Sequence, residues 1–113
     1  MLKPTNIGEL LDKITILSIE LARISDLNKR ESILLELNNL NKIAELEVSP
    51  VIGLRSLYLQ LYRINESLWD IEHNQRDCEK NKYASERIRI QQEINKLLSP
   101  RNTNNTKFLN HYQ

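Results

Sequence analysis

Asn65, Trp69, Glu72 and Arg76 stand at i, i+4, i+7 and i+11, a spacing that stacks all four along one edge of a helix. That edge borders an apolar line, Leu57, Leu61, Ile64, Leu68 and Ile71, and carries the chain's single tryptophan. Two kinds of chemistry suit it. Turned inward, an amide, a carboxylate and a guanidinium lock helices together, because a buried polar group left unpaired costs about 1–3 kcal/mol. Turned toward a pocket, the guanidinium clamps a small anion while the indole supplies a broad wall and one donor. Acid–base catalysis is harder to build here, since a neighbouring arginine lowers a carboxyl pKa and weakens it as a base near neutrality.

An anion pocket of this kind would collect Lys13 and Arg23 with Asn65, Trp69, Glu72 and Arg76, Arg23 coming from a neighbouring subunit. In the first helix Glu9 and Lys13 have the spacing of an i, i+4 ion pair, and Glu20 and Arg23 lie three apart. Asp12 sits among them near the apolar boundary. In the last helix Arg87, Arg89, Gln91, Gln92, Glu93 and Lys96 read as a solvated face, with Arg89 and Glu93 paired. Neither His73 nor His111 has neighbours at metal-binding spacing, and Cys78 stands alone, so no metal, disulfide or cofactor is expected. With no phosphate loop, dinucleotide fingerprint or nucleophile elbow, no catalytic residue is assigned.

These side chains must be positioned by helices. Gly 2, Pro 3 and few aromatics argue against a turn-rich β fold, while Leu, Ile, Glu, Lys and Arg favour helix. Asn6 and Glu9 resemble a capping box ahead of the stripe Ile7, Leu10, Leu11, Ile14, Leu17, Leu21 and Ile24, which Thr15 and Ile16 thicken. A bend is expected at Ser25-Asp26-Leu27-Asn28. A second helix, with Ile33, Leu34, Leu37, Leu40, Ile43, Ala44 and Leu46, ends near Glu47. Ser49-Pro50 predicts the start of a third helix reaching the high seventies, in preference to any glycine. A turn within Cys78–Tyr83 leads to a last helix with Ile88, Ile90, Ile94, Leu97 and Leu98, closed by Pro100. The expected fold is all-α, a bundle of three or four antiparallel helices, with a dimer of long helical hairpins as the alternative. Residues 1–98 form the domain and 99–113 an asparagine-rich flexible tail.

Eight acidic and six basic residues in positions 1–50, against seven and ten in 51–113, give only a mildly basic second half. Nucleic-acid binding is therefore not favoured. No apolar run approaches the roughly 20 residues of a membrane span, and no secretory segment opens the chain, so a cytoplasmic protein is expected.

The opening Gly8–Leu17, Asn65 with Leu68-Trp69 and Ile71-Glu72, and RIQQEIN from Arg89 to Asn95 together resemble a small bacterial family of uncharacterised helical proteins. Its members begin with an IGELLDKITIL-type segment, continue through an N-x-x-LW-x-IE segment and finish with an IKREIN-like helix. The likeness covers most of residues 6–98. It departs before the last helix, where relatives carry a longer insertion with an ND pair and this chain is short, with Ser85. The resemblance marks Glu9, Asp12, Lys13, Asn65, Trp69, Glu72, Arg76, Glu93 and Asn95 as places to look, with Glu9, Asp12, Glu93 and Asn95 as candidates for a structural polar network. It implies a standalone helical domain or a module attached to proteins of surface-polysaccharide assembly, and no activity. The functional expectation is an interaction or accessory domain that pairs with itself, through the first or third helix, or with another protein. A small helical enzyme or anion-binding protein is the alternative, and a weakly nucleic-acid-associated protein a second one.

Overall fold

The computed structural model describes residues 6–74 and 80–98, with backbone alone for His73 and Asn74. Four helices pack antiparallel in chain order: α1 (Ile7–Arg23), α2 (Leu27–Glu47), α3 (Leu54–Asn74) and α4 (Lys80–Leu98). There is no strand among the described residues. The expected tail beyond Leu98 and the expected turn at Cys78 lie outside them, apart from the first residues of α4.

α1 is the central helix. It packs on α2, α3 and α4, and α3 and α4 pack on each other. α2 rests on α1, and no other helix makes more than a marginal approach to it. The core follows from that arrangement. Ile7, Leu10, Leu11, Ile14 and Leu17 of α1 meet Leu61 of α3, Ile90 and Ile94 of α4, and Leu37, the one buried residue of α2. Leu61, Ile90 and Ile94 are almost wholly enclosed. Leu57 is only half-buried, and Ile88 is exposed although it falls in the expected α4 stripe.

The ends of the helices are tied by side chains. Asn6 Oδ1 accepts the Glu9 amide at 2.9 Å, the half of the capping box that relieves an orphan N–H. A second amide of that first turn is satisfied from another helix. Asn95 of α4 donates Nδ2 to Asn6 Oδ1 at 2.8 Å and accepts the Gly8 amide on Oδ1 at 2.7 Å. At the far end of α1, Arg30 Nη1 donates to the carbonyls of Leu21 and Ile24, a cation placed on the negative end of the helix. Asp26 caps α2 by accepting the amides of Asn28 and Lys29.

The start of α3 differs from the expectation. Ser49 and Pro50 belong to the connection, and the helix begins four residues after Pro50. Gly53 makes the boundary: its φ of 95° is left-handed, a conformation that a side chain would strain, and it redirects the backbone into α3. The Leu54 amide bonds Val51 O at 3.2 Å, closing the turn that precedes the helix.

Gly8 has a different task. A Cβ built there would lie 2.3 Å from the carbonyl oxygen of Gln91, inside any tolerable contact with backbone. α1 and α4 cross with their backbones nearly touching, and only glycine permits it. Gly8→Ala should therefore push the two helices apart and lower stability by at least about 1–3 kcal/mol, the usual range for overpacking. Urea unfolding followed by circular dichroism checks this.

Candidate functional site

One turn beyond that crossing, the sequence places an acid where the three packed helices converge. Asp12 is 7% exposed, Asn65 5% and Thr15 fully buried. Asp12 and Thr15, three apart on α1, face Asn65 of α3 and Arg87 and Gln91, four apart on α4. Asp12 Oδ1 accepts Asn65 Nδ2 at 2.7 Å, and Oδ2 accepts Gln91 Nε2 at 2.9 Å. Asn65 spends its second amide hydrogen on Thr15 Oγ1 at 2.7 Å, while that hydroxyl donates to the Asp12 carbonyl at 2.7 Å. Arg87 Nε stands 3.8 Å from Asp12 Oδ2, close enough for charge attraction and too far for a hydrogen bond. That Nε is buried and has no acceptor among the described residues.

Both oxygens of the Asp12 carboxylate are thus engaged by neutral donors, with a cation behind one of them. This arrangement stabilises an anion in place. Enclosed and held from two helices, it fits a structural lock better than a general base.

Beside the lock is a cavity of about 260 Å³ bordered by α1, α3 and α4. Ile16 and Glu20 reach it from α1, Asn65, Leu68, Trp69 and Glu72 from α3, and Lys80, Ala84 and Arg87 from α4. Each set follows helical spacing. The polar edge of α3 therefore runs from inside to outside: Asn65 is sequestered, Trp69 half-buried, and Glu72 more than half exposed, 3.8 Å from Lys80. Arg76, the fourth member of that edge, lies outside the described residues.

The other expected site residues are placed elsewhere. Lys13 pairs with Glu36 of α2 at 3.2 Å, not with Glu9 one turn away. Arg23 reaches α3, at 2.7 Å from Asp70 and 3.4 Å from Glu66, instead of bonding Glu20. The reason is common to both: an acid on the neighbouring helix offers a contact across the packing seam. The hydrogen bond it donates to Asp70, chiefly, holds the Arg23 guanidinium protonated even further up the pH scale than usual. Neither Lys13 nor Arg23 lines the cavity. Glu93 is exposed and binds Arg89, which also takes Glu86 at 3.0 Å. Glu9 contributes its amide to the α1 cap, and Asn95 bridges that cap to α4.

Sequence reasoning treated Thr15 as stripe filler and Arg87 and Gln91 as a solvated face. A signal for them existed. Arg87, Gln91 and Asn95 stand at i, i+4 and i+8 beside Ile90 and Ile94, the same polar border that drew attention to Asn65 on α3.

Among the described residues no group of His, Cys, Asp and Glu could hold a metal ion, and no helix is long and apolar enough to cross a membrane. Comparison with protein-family models, with curated proteins and with solved structures finds no match in any of the three.

Two measurements bear on these groups. In a double-mutant cycle, Asp12→Ala and Asn65→Ala should each destabilise the fold, with a coupling of about 1–3 kcal/mol in denaturant unfolding. Separately, burial, with a smaller contribution from Tyr62, pushes the Tyr58 hydroxyl above its ordinary pKa. The raised folded-state value means that the stability Tyr58 contributes is intact below about pH 10 and is lost as pH climbs toward the folded-state pKa. Tyr58→Phe should flatten that alkaline loss in unfolding curves taken between about pH 9 and 11.

Proposed function

We propose that this chain is a helical interaction module that associates with a second copy of itself through α2. The observation that carries the reading is the position of α2's aliphatic side chains. Ile33, Leu37, Leu40 and Ala44, with Val48 just past the helix end, turn toward α1. Leu27, Leu34, Leu35, Ile43 and Leu46 remain in water, Leu35 at 66% and Leu46 at 87% exposure. A helix with apolar residues on more than one side calls for more than one neighbour, and α2 has one. By helical geometry Leu35 and Leu46 sit opposite the stripe that meets α1.

Charge supports a second copy running antiparallel. α2 has no acid in its first turn and no base in its last. Lys29 stands near its positive end and Glu45 and Glu47 near its negative end, each the wrong sign for the helix's own dipole. A twofold-related α2 brings Lys29 of one copy toward the acidic end of the other and opposes the two dipoles. Such an interface is isologous, and it would need about 800 Å² from each partner to be stable. Ile52 in the α2–α3 connection and Leu59 of α3 are exposed as well. α1, which the sequence favoured as an interface helix, spends its apolar face on three neighbours within the chain.

Sedimentation equilibrium from low to high micromolar concentration should show a monomer–dimer transition. Leu35→Glu with Leu46→Glu should weaken dimerisation at least tenfold, about 1.4 kcal/mol, with an unchanged circular dichroism spectrum. A monomer at every concentration would overturn the reading.

A further inference from the structure

The cavity between α1, α3 and α4 is independent of the α2 surface, and its lining points to a ligand. Two cations and two carboxylates border it: Lys80 and Arg87 from α4, Glu20 from α1 and Glu72 from α3. A simple anion entering this space would face both carboxylates, and a simple cation would face Lys80 and Arg87. For either, attraction to the opposite charges of the lining is offset by repulsion from the like ones. A molecule that bears both charges a few bonds apart meets an opposite partner at each end.

We propose that this cavity binds a small aliphatic zwitterion of the kind and size of a free α-amino acid. The carboxylate end is assigned by Arg87. Its Nε is a buried donor without an acceptor among the described residues, 3.8 Å from a carboxylate whose oxygens already accept Asn65 and Gln91. The Arg87 side chain is 34% exposed and borders the cavity, so the outer edge of its guanidinium offers a ligand carboxylate the planar fork that suits it. The ammonium end is assigned by Glu20, which is half-buried at the cavity and has no ion-pair partner among the described residues. Glu72 is the second acceptor. Its contact with Lys80 is long, at 3.8 Å between half-exposed side chains, so rearranging it on binding loses little.

The body of the ligand is set by the walls. Ile16 and Leu68 are aliphatic, and Trp69 presents a broad apolar surface. Ala84, the smallest side chain of the lining, leaves the volume that a leucine there would fill. About 260 Å³ falls just below the roughly 300–1,000 Å³ of sites for drug-sized molecules, which suits an occupant of about ten heavy atoms.

The chain's single tryptophan lies in the wall, so its fluorescence reports on occupancy without a label. The full chain is titrated with L-leucine, with 4-methylpentanoate, which lacks the amine, and with 3-methylbutylamine, which lacks the carboxylate. Methyl NMR signals of Ile16, Ala84 and Leu46 are followed in parallel. L-Leucine should saturate the tryptophan response at a Kd between roughly 10 µM and 1 mM. It should move Ile16 and Ala84 but not Leu46. The two singly charged analogues should bind at least tenfold more weakly. Glu20→Gln, which leaves the Asp12 lock intact, should weaken leucine binding and leave 4-methylpentanoate binding as tightly as before or more tightly. Ala84→Leu should abolish the response while unfolding at the wild-type temperature or above. The proposal is overturned if 4-methylpentanoate binds as well as leucine, if the leucine response survives Ala84→Leu, or if no ligand shifts any signal up to about 10 mM.

Discussion

A single buried carboxylate sets the geometry of this protein. Asp12 cannot be left unpaired in the interior, and its two oxygens are satisfied from two different helices, Asn65 of α3 and Gln91 of α4. Sliding any of the three helices by a residue would strand at least one of these groups, at the cost of a buried unsatisfied charge or amide. Apolar packing alone tolerates such slips more readily, because one aliphatic contact can replace another. The lock therefore supplies register where the leucines and isoleucines supply cohesion.

The crossing at Gly8 belongs to the same device. Asn95, Gln91 and Arg87 descend α4 one turn at a time and meet the α1 cap, Asp12 and the edge of the cavity in that order. The closeness of the backbones at Gly8 lets a side chain as short as asparagine bridge from α4 to the first amides of α1. Larger separation would require longer, looser side chains. A glycine, two asparagines and a glutamine thus form a seam of neutral amides. Being uncharged, these donors are little affected by salt, unlike the exposed pairs of Lys13 and Arg23.

The sequence carried much of this in its spacing. The apolar repeat of α1 named Ile7, Leu10, Leu11, Ile14 and Leu17, which are buried, but also Leu21 and Ile24, which are half-covered, and it left out the buried Ile19; the border position of Asn65 pointed to an inward amide. The second helix ends at Glu47, as periodicity suggested. What failed did so for physical reasons. Spacing defines a stripe but not how many neighbours will cover it, so Leu34, Ile43 and Leu46 looked internal and are exposed. The N-terminal preference of proline was outweighed by a left-handed turn at Gly53, which no propensity for Pro50 could reveal. Local ion pairs at i, i+3 and i, i+4 lost to acids on adjacent helices, since a single chain of letters does not show which helices touch. The partner of Asp12 on α4 was hidden for the same reason, among glutamines and arginines that resemble any wet helix face.

The one-sided support of α2 has a bearing on how the molecule yields. Its resistance to opening is graded along its length. At the corner with α1, the Arg30 guanidinium grips two carbonyls and Asp26 holds two amides. Toward Glu47 there is only a half-covered aliphatic seam. Thin packing of that kind favours local detachment of the outer half over opening of the other three helices. The remainder keeps its own fastening throughout, because α2 contributes nothing to the ligands of Asp12. The fold is in effect a three-helix body with a fourth helix leaning on one side of it.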